Sequence, residues 1–182
     1  MSLPARHLRR GLATVTACAG LLAPSVCRAT ENEWHLGVAA GWSVTEATYA
    51  SAQHGFGGVL SARYGLTDAI DIDFNVSAAG YPDKSRMIFG STVGLSYVLD
   101  VSRWIPWVGA TVGFVDDWRT GGCEDAPALC THTIQPALGV PIGFEYRVTP
   151  TVPVGIRFEY QFLFLGEPSS QVFLGIYGGF IP

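Results

Sequence analysis

Along most of this chain, apolar residues recur at every second position. In each such run the apolar set carries no charge, while the intervening set holds the ionisable groups. Successive side chains of an extended strand point to opposite faces, so a period of two predicts strands with one apolar and one polar face. The run from Ile70 to Ala78 is the clearest. Ile70, Ile72, Phe74, Val76 and Ala78 share one face, and Asp71, Asp73, Asn75 and Ser77 the other. Seven further runs behave alike: Trp34 to Val44, Phe56 to Leu66, Phe89 to Leu99, Trp104 to Phe114, Ile134 to Arg147, Val154 to Phe164 and Val172 to Phe180. An all-β chain of about eight strands follows, its connections those of an up-and-down antiparallel sheet.

A soluble sandwich or lipocalin also alternates, with its apolar face inside and its charges in water. A membrane barrel reverses the two. Here the charge-free face is too large and too aliphatic to meet water, and the charged face is rich in glycine, as a narrow lumen requires. Aromatic residues gather near strand ends. Trp34, Tyr64, Tyr97, Trp104, Tyr146 and Phe180 would form one interfacial girdle, and Trp42, Phe56, Phe89, Phe114 and Phe164 the other. The expected connections alternate in length. Longer ones, Thr45 to Gly55, Gly80 to Arg86, Asp116 to Thr131 and Leu165 to Ser170, follow odd strands. Short ones, Thr67 to Ala69, Asp100 to Arg103 and Val148 to Thr151, follow even strands. With both termini in the periplasm, every longer loop faces outside. Pro136 and Pro141 interrupt the sixth run, which predicts a bulge or a later strand start there.

The first residues set the compartment. Arg6, Arg9 and Arg10 precede an apolar stretch, Gly11 to Ala23, too short to span a bilayer, and Cys27-Arg28-Ala29 presents small residues at the −3 and −1 positions of a cleavage site. A retained anchor lacks the ~20 apolar residues it needs, and a lipid-modified Cys18 would leave Ala19 to Val26 on the mature chain. Residues 1–29 therefore read as a cleaved signal peptide and 30–182 as one domain. The whole chain carries a net charge of −4. Arg6, Arg9, Arg10 and Arg28 are four of its 11 basic residues, so 7 remain against 15 acidic ones and the mature charge is near −8. Nucleic-acid binding has no basic footprint here.

Of four cysteines, Cys18 and Cys27 fall in the signal, which leaves Cys123 and Cys130. They bracket Glu124 to Leu129, a turn-rich stretch, and an exported protein meets oxidising conditions, so a structural disulfide on a long loop is expected. Metal or redox work would want CxxC spacing or nearby histidines, and only His132 is close. No metal or cofactor is implied. The acidic residues Asp116, Asp117, Glu124 and Asp125 read as solvated loop charge, with a divalent cation the sharper alternative.

Over essentially all of the mature chain the sequence resembles the small outer-membrane β-barrel family, the group that includes the transmembrane domain of outer-membrane protein A. Arg63-Tyr64-Gly65-Leu66-Thr67-Asp68-Ala69-Ile70-Asp71 is similar to the family's hairpin, in which a Gly-Leu-Thr-Asp turn joins two strands. The resemblance implies outer-membrane lipid and the barrel-insertion machinery as partners. The insertion machinery reads a terminal aromatic strand in this family. Gly175 and Phe180 fit that pattern, whereas Gly178, Ile181 and Pro182 depart from it.

An eight-stranded barrel is just wide enough for its own side chains. Arg63, Asp71 and Asp73 from one neighbouring pair of strands, and Glu145, Arg147, Arg157 and Glu159 from another, are expected to form ion-paired networks that plug the lumen, since buried charges persist only when paired. The alternative is a narrow pore for small solutes lined by the same groups. Catalysis would need a nucleophile and base near the outer rim. His132 with Thr133, and Ser169 and Ser170 near Glu167, are loose candidates without a recognisable motif, so a non-enzymatic role is expected. His35 and His54 read as ordinary lumen and loop residues. A structural or surface-interaction role through the loops is favoured, its partner being lipopolysaccharide, a host surface or another protein. A soluble exported ligand-binding barrel is the remaining alternative.

Overall fold

Eight strands form: β1 (Trp34–Ala47), β2 (Gln53–Gly65), β3 (Ile70–Tyr81), β4 (Arg86–Val98), β5 (Trp104–Arg119), β6 (Thr131–Thr149), β7 (Val152–Leu163) and β8 (Ser169–Phe180). The computed structural model describes residues 31–47, 51–82, 85–99, 102–119, 131–164 and 169–182. The expected signal segment and the loop cysteines Cys123 and Cys130 lie outside the described residues.

Each strand pairs antiparallel with its sequence neighbours, and β1 pairs with β8, so the sheet closes into a barrel. Closure removes the unpaired edge that an open sheet would present. The register fixes the geometry. Leu36 pairs with Ala62, and the row continues through Phe74, Val93, Val112, Leu138, Phe162 and Ser170 before crossing the seam to Glu46, ten residues further along β1 than its start. That stagger corresponds to strands tilted by ~35–45° to the barrel axis.

The two faces sort as the alternation requires. Phe56 and Ile176 on the outside are each 76% exposed, whereas Arg63 and Arg157 on the inside are each 2% exposed. Of the expected girdle residues, Trp34, Trp42, Tyr97, Trp104 and Phe180 stand exposed on the outer surface, and Tyr64 and Tyr146 are half-buried there. Trp34 lies beside Tyr64 with ring centroids 5.0 Å apart, and Trp104 packs on Tyr146 at 4.6 Å and on Phe144 at 5.1 Å. These pairs stand at the end carrying both termini and the short turns, here called the turn end. Trp42 pairs with Phe56 across β1 and β2 toward the opposite, loop end.

Local chemistry sets the turns. Between β2 and β3, the Thr67 hydroxyl accepts from the backbone N–H of Ala69 at 3.3 Å and of Ile70 at 3.1 Å, and the Leu66 N–H donates to the Ile70 carbonyl at 2.8 Å. A threonine side chain thus supplies the acceptor that the reversing backbone lacks.

Two expectations are corrected. The loop-end connections are shorter than the alternation suggests, because the strands run further. Thr45 pairs with Gln53, Tyr81 with Arg86 and Arg119 with Thr131. Polar and charged side chains fill the lumen there, so the ladder continues after the outer face has ceased to be apolar. Nor does β6 bulge or start late at its prolines, since it runs unbroken from Thr131 to Thr149 and its only register shift toward β7 lies between Arg147 and Thr149. The Pro136 carbonyl accepts from Phe164, one residue past the end of β7, so the N–H that proline lacks falls on a final rung. Pro106 does the same toward β4, its carbonyl accepting from Leu99. Pro141 faces β5, and the ladder between β5 and β6 lapses opposite it, between the pairs Val108–Ile142 and Thr111–Gly139. Its buried ring packs beside Gly109.

Candidate functional site

The lumen concentrates the polar chemistry of the chain, and its wall can be read strand by strand from the turn end upward. In β3 the inward residues are Asp71, Asp73, Asn75, Ser77, Ala79 and Tyr81. In β5 they are Ile105, Trp107, Gly109, Thr111, Gly113, Val115 and Asp117. In β6, which runs the other way, they are Glu145, Gly143, Pro141, Gly139, Ala137 and Gln135. β3 and β6 pass from charged residues through small ones to an apolar rung, β5 begins instead with Ile105 and Trp107, and β5 and β6 then end on a second polar level.

Near the turn end, the Arg63 guanidinium donates to Glu145 Oε1 at 2.5 Å, and the Trp107 indole N–H donates to the same oxygen at 2.6 Å. Arg63 lies over the Trp107 ring, 4.9 Å from its centroid, a cation–π contact strengthened by exclusion of water. Space for the indole comes from Gly143, where a Cβ would overlap the ring of Trp107. Gly37 gives Tyr177 room in the same way. Asp73 is the cross-strand partner of Arg63 and accepts from the Ser96 hydroxyl. Asp71 is fully buried one rung below, opposite Gly65.

One level higher, Arg157 Nε and Nη2 donate to Glu159 Oε2 at 3.2 and 2.7 Å, its Nη1 donates to Asn75 at 3.1 Å, and Gln161 donates to Glu159 Oε1 at 2.7 Å. Six of the seven expected lumen residues thus meet inside the barrel. The seventh, Arg147, is half-buried at the turn-end rim beside the register shift. His35 is buried on β1 at the same end.

A second cluster at the loop end was not anticipated. Arg86 grips Asp117 in a bidentate pair, Nε to Oδ1 and Nη2 to Oδ2, both at 2.7 Å, and its Nη1 donates to Gln53 at 3.2 Å. The fork-to-carboxylate geometry is the strong form of such a pair. Beneath it Tyr81 is buried. Its hydroxyl lies 2.7 Å from Ser43 Oγ and accepts from Gln171 Nε2 at 3.2 Å. Asp116 and Asp117, expected together as solvated loop charge, are separated by the strand period: Asp117 turns inward to Arg86, while Asp116 turns outward to His132 Nε2 at 2.8 Å. His54, expected in a loop, belongs to β2 and stacks on Trp42 at 5.4 Å. Glu124, Asp125 and Glu167 lie outside the described residues. Among the described residues, no three of His, Cys, Asp and Glu gather as metal ligands would.

The larger concavities, of about 1050 and 360 Å³, are open troughs lined chiefly by outward residues such as Phe74, Val93 and Val112, or Phe144, Ile156 and Phe158. Inside the barrel, a cavity of about 20 Å³ is bordered by Ser77, Glu159, Gln161, Gln171 and Phe173. That is room for a single water molecule.

No protein-family model and no curated protein matches the sequence. Solved structures do match the fold. The chain is similar to Neisserial surface protein A, with a TM-score of 0.69 at 17% identity, over 81% of this chain and 96% of that one. It is similar to Ail, the attachment invasion locus protein of Yersinia pestis, with a TM-score of 0.55 at 13% identity, over 84% and 99% of the two chains. It is also similar to the N-terminal β-barrel domain of Pseudomonas aeruginosa OprF, with a TM-score of 0.51 at 14% identity, over 82% and 98%. The chain has the fold of the small eight-stranded outer-membrane β-barrels.

Proposed function

We propose that this chain is an integral β-barrel of a Gram-negative outer membrane, exported by a signal peptide over residues 1–29 and inserted by the barrel-insertion machinery. Its lumen is closed by its own side chains, and its role is structural or one of surface contact through the loop-end connections. One observation carries the reading: burial is inverted. Leu36, Val38, Leu60, Val76, Leu95 and Ile156 are exposed on the outside, while Arg63, Asp71, Asp73, Glu145, Arg157 and Glu159 are buried inside. A water-soluble barrel has no reason to expose such a belt, which exceeds the apolar patches of ordinary monomers. Lipid is the solvent in which this arrangement is stable. Each strand has 12 or more residues, enough for the ~9–11 that a tilted strand needs to cross a bilayer.

The closed lumen is supported by the paired charges at both levels and by the one-water size of the lumen cavity beside Ser77 and Gln161, which argue against the narrow-channel alternative. The reading is non-catalytic, because Thr133 stands beside a His132 engaged by Asp116 and, among the described residues, no nucleophile–base pair faces a cleft. Loops facing outward leave lipopolysaccharide, a host surface or another protein as contact partners, and two of the similar proteins are by name a surface protein and an attachment protein. A disulfide between Cys123 and Cys130 would staple the longest connection.

The test is electrophoretic mobility of the unboiled and boiled protein, taken from the outer-membrane fraction of its host. Closed membrane barrels hold their form in detergent until heated, so a mobility shift on boiling is expected. Recovery in the soluble periplasm with no shift would overturn the reading and turn the apolar belt into a ligand surface.

A further inference from the structure

We propose that the lumen is closed twice in series, by the ion-pair network at the turn end and by an independent seal at the loop end whose crossbar is Tyr81. This rests on the closed-lumen reading and goes beyond it, since the network expected from the sequence supplies only the first closure.

The second seal has two layers. Ala79, Tyr81, Ile88, Val115, Ala137 and Leu163 form a buried apolar cluster inside the lumen, contributed by the consecutive strands β3 to β7. Facing it, β8 and β1 present Gln171 and Ser43, and β2 presents Gly55, whose missing side chain leaves room for the Tyr81 ring. Tyr81 reaches it from β3: its ring belongs to the apolar cluster, and its hydroxyl meets Ser43 of β1 and Gln171 of β8. One side chain therefore reaches past β2 and joins the apolar part of the layer to Ser43 and Gln171. Directly above, the Arg86 guanidinium lies 5.8 Å from the centre of the Tyr81 ring and is held by Asp117 and Gln53. An apolar constriction sheds water, and a layer that does so blocks ions whatever lies beyond it.

Between the two closures the inward residues of β2 to β6 are small, Gly57, Ser77, Gly90, Gly113 and Gly139, and Phe173 of β8 fills the facing side, packed with Val59, Ala39 and Tyr177. The one-water cavity lies in this gap, and Gln161 Oε1, buried without a hydrogen-bond partner among the described residues, belongs to its lining. A water trapped between the seals would complete that amide.

Single-channel conductance of the full-length mature protein in planar bilayers tests the arrangement, with the boiling shift as the check that each variant is folded. Serine at Arg63, Asp71, Asp73, Glu145, Arg157 and Glu159 together opens the lower closure without leaving a lone buried charge, and Tyr81→Ala removes the crossbar. The expected result is no conductance for the wild type, for the lower variant or for Tyr81→Ala alone, and steady conductance when the lower variant and Tyr81→Ala are combined. Conductance of the lower variant alone would show that the loop-end layer seals nothing. Conductance of Tyr81→Ala alone would show that the closures are not in series, and a silent, folded combined variant would place the barrier elsewhere. A conducting wild type would overturn the closed-lumen reading itself. A second measurement needs no opened lumen: Ser77→Cys, with Cys123 and Cys130 both changed to Ser, should resist a small water-soluble thiol reagent until the barrel is boiled. Ready labelling of the folded form would overturn the proposal.

Discussion

Glu145 carries two bonds on one buried oxygen, and its removal tests whether the lumen is a packed interior or a water-filled one. Glu145→Ala leaves the Arg63 guanidinium, 2% exposed, without the carboxylate 2.5 Å away, and leaves the Trp107 indole N–H, 2.6 Å from the same atom, without an acceptor. Breaking a buried pair from one side costs ~3–5 kcal/mol, because the remaining charge stays desolvated. An orphaned buried N–H costs ~1–3 kcal/mol by itself. These do not simply add, since the space vacated by the carboxylate can admit water, and Asp73 lies on the rung opposite Arg63. The lower part of the range, ~3 kcal/mol, is therefore expected, about two orders of magnitude in the unfolding equilibrium.

The assay is urea unfolding of the protein folded in lipid vesicles, read as the fraction retaining the unboiled mobility. The partner variant supplies the control. Arg63→Met combined with Glu145→Leu removes the pair together and leaves Asp73 with the Ser96 hydroxyl but without its cross-strand cation, so the double variant should cost clearly less than Glu145→Ala, because an ion pair earns its attraction only by first losing its hydration. A cost below ~1 kcal/mol for Glu145→Ala is the value of a solvated pair and would refute the packed lumen. So would a double variant as unstable as the single one, which would mean that packing around the side chains, rather than pairing, had been lost.

Gly143→Ala should cost ~1–3 kcal/mol by driving a Cβ into the Trp107 indole, and most of that cost should vanish in a Trp107→Ala background, checked by the same urea titration. On the outer face, Val93→Arg at the middle of β4 should cost ~2–4 kcal/mol and Leu66→Arg at the turn end only ~0–1 kcal/mol, the depth dependence expected of a bilayer; equal small costs would point to water outside. Asp117→Ala should destabilise by ~3–5 kcal/mol through the stranded Arg86, whereas Asp116→Ala, whose His132 partner is exposed, should stay within ~0–1 kcal/mol. Thiol titration of the urea-unfolded, unreduced protein should find no free sulfhydryl at Cys123 or Cys130, and two equivalents would remove the proposed staple.

The strand faces were legible because a period of two survives any uncertainty about strand ends. Arg63, Asp73, Glu145, Arg157 and Glu159 each interrupt an otherwise small or polar inward set beside an uncharged outward set, so their side of the sheet could be assigned residue by residue. Their pairing partners could not. Arg63 meets Glu145 across the barrel, 82 residues along the chain, and only the closed register brings those two strands face to face. Trp107 escaped notice as a donor because an inward tryptophan reads as filling rather than as a hydrogen bond.

The loop-end seal stayed hidden for a different physical reason. Alternation is a contrast between two faces, and it fades where either face changes. At Gly80 and Asp116 the outward position is no longer apolar, so the pattern ended and the following residues read as loop. Inside, nothing had changed: Tyr81 continues the inward parity of Asn75, Ser77 and Ala79, Arg86 that of Gly90 and Ile88, and Asp117 that of Gly113 and Val115. Extending the inward set alone would have placed an arginine, an aspartate and a tyrosine at one level of the lumen. On the proposed membrane reading, the outer face records where the lipid stops and the inner face where the ladder stops. In a barrel whose strands rise above the bilayer these are different heights, and the residues between them are the ones available both to close the lumen and to support the loops.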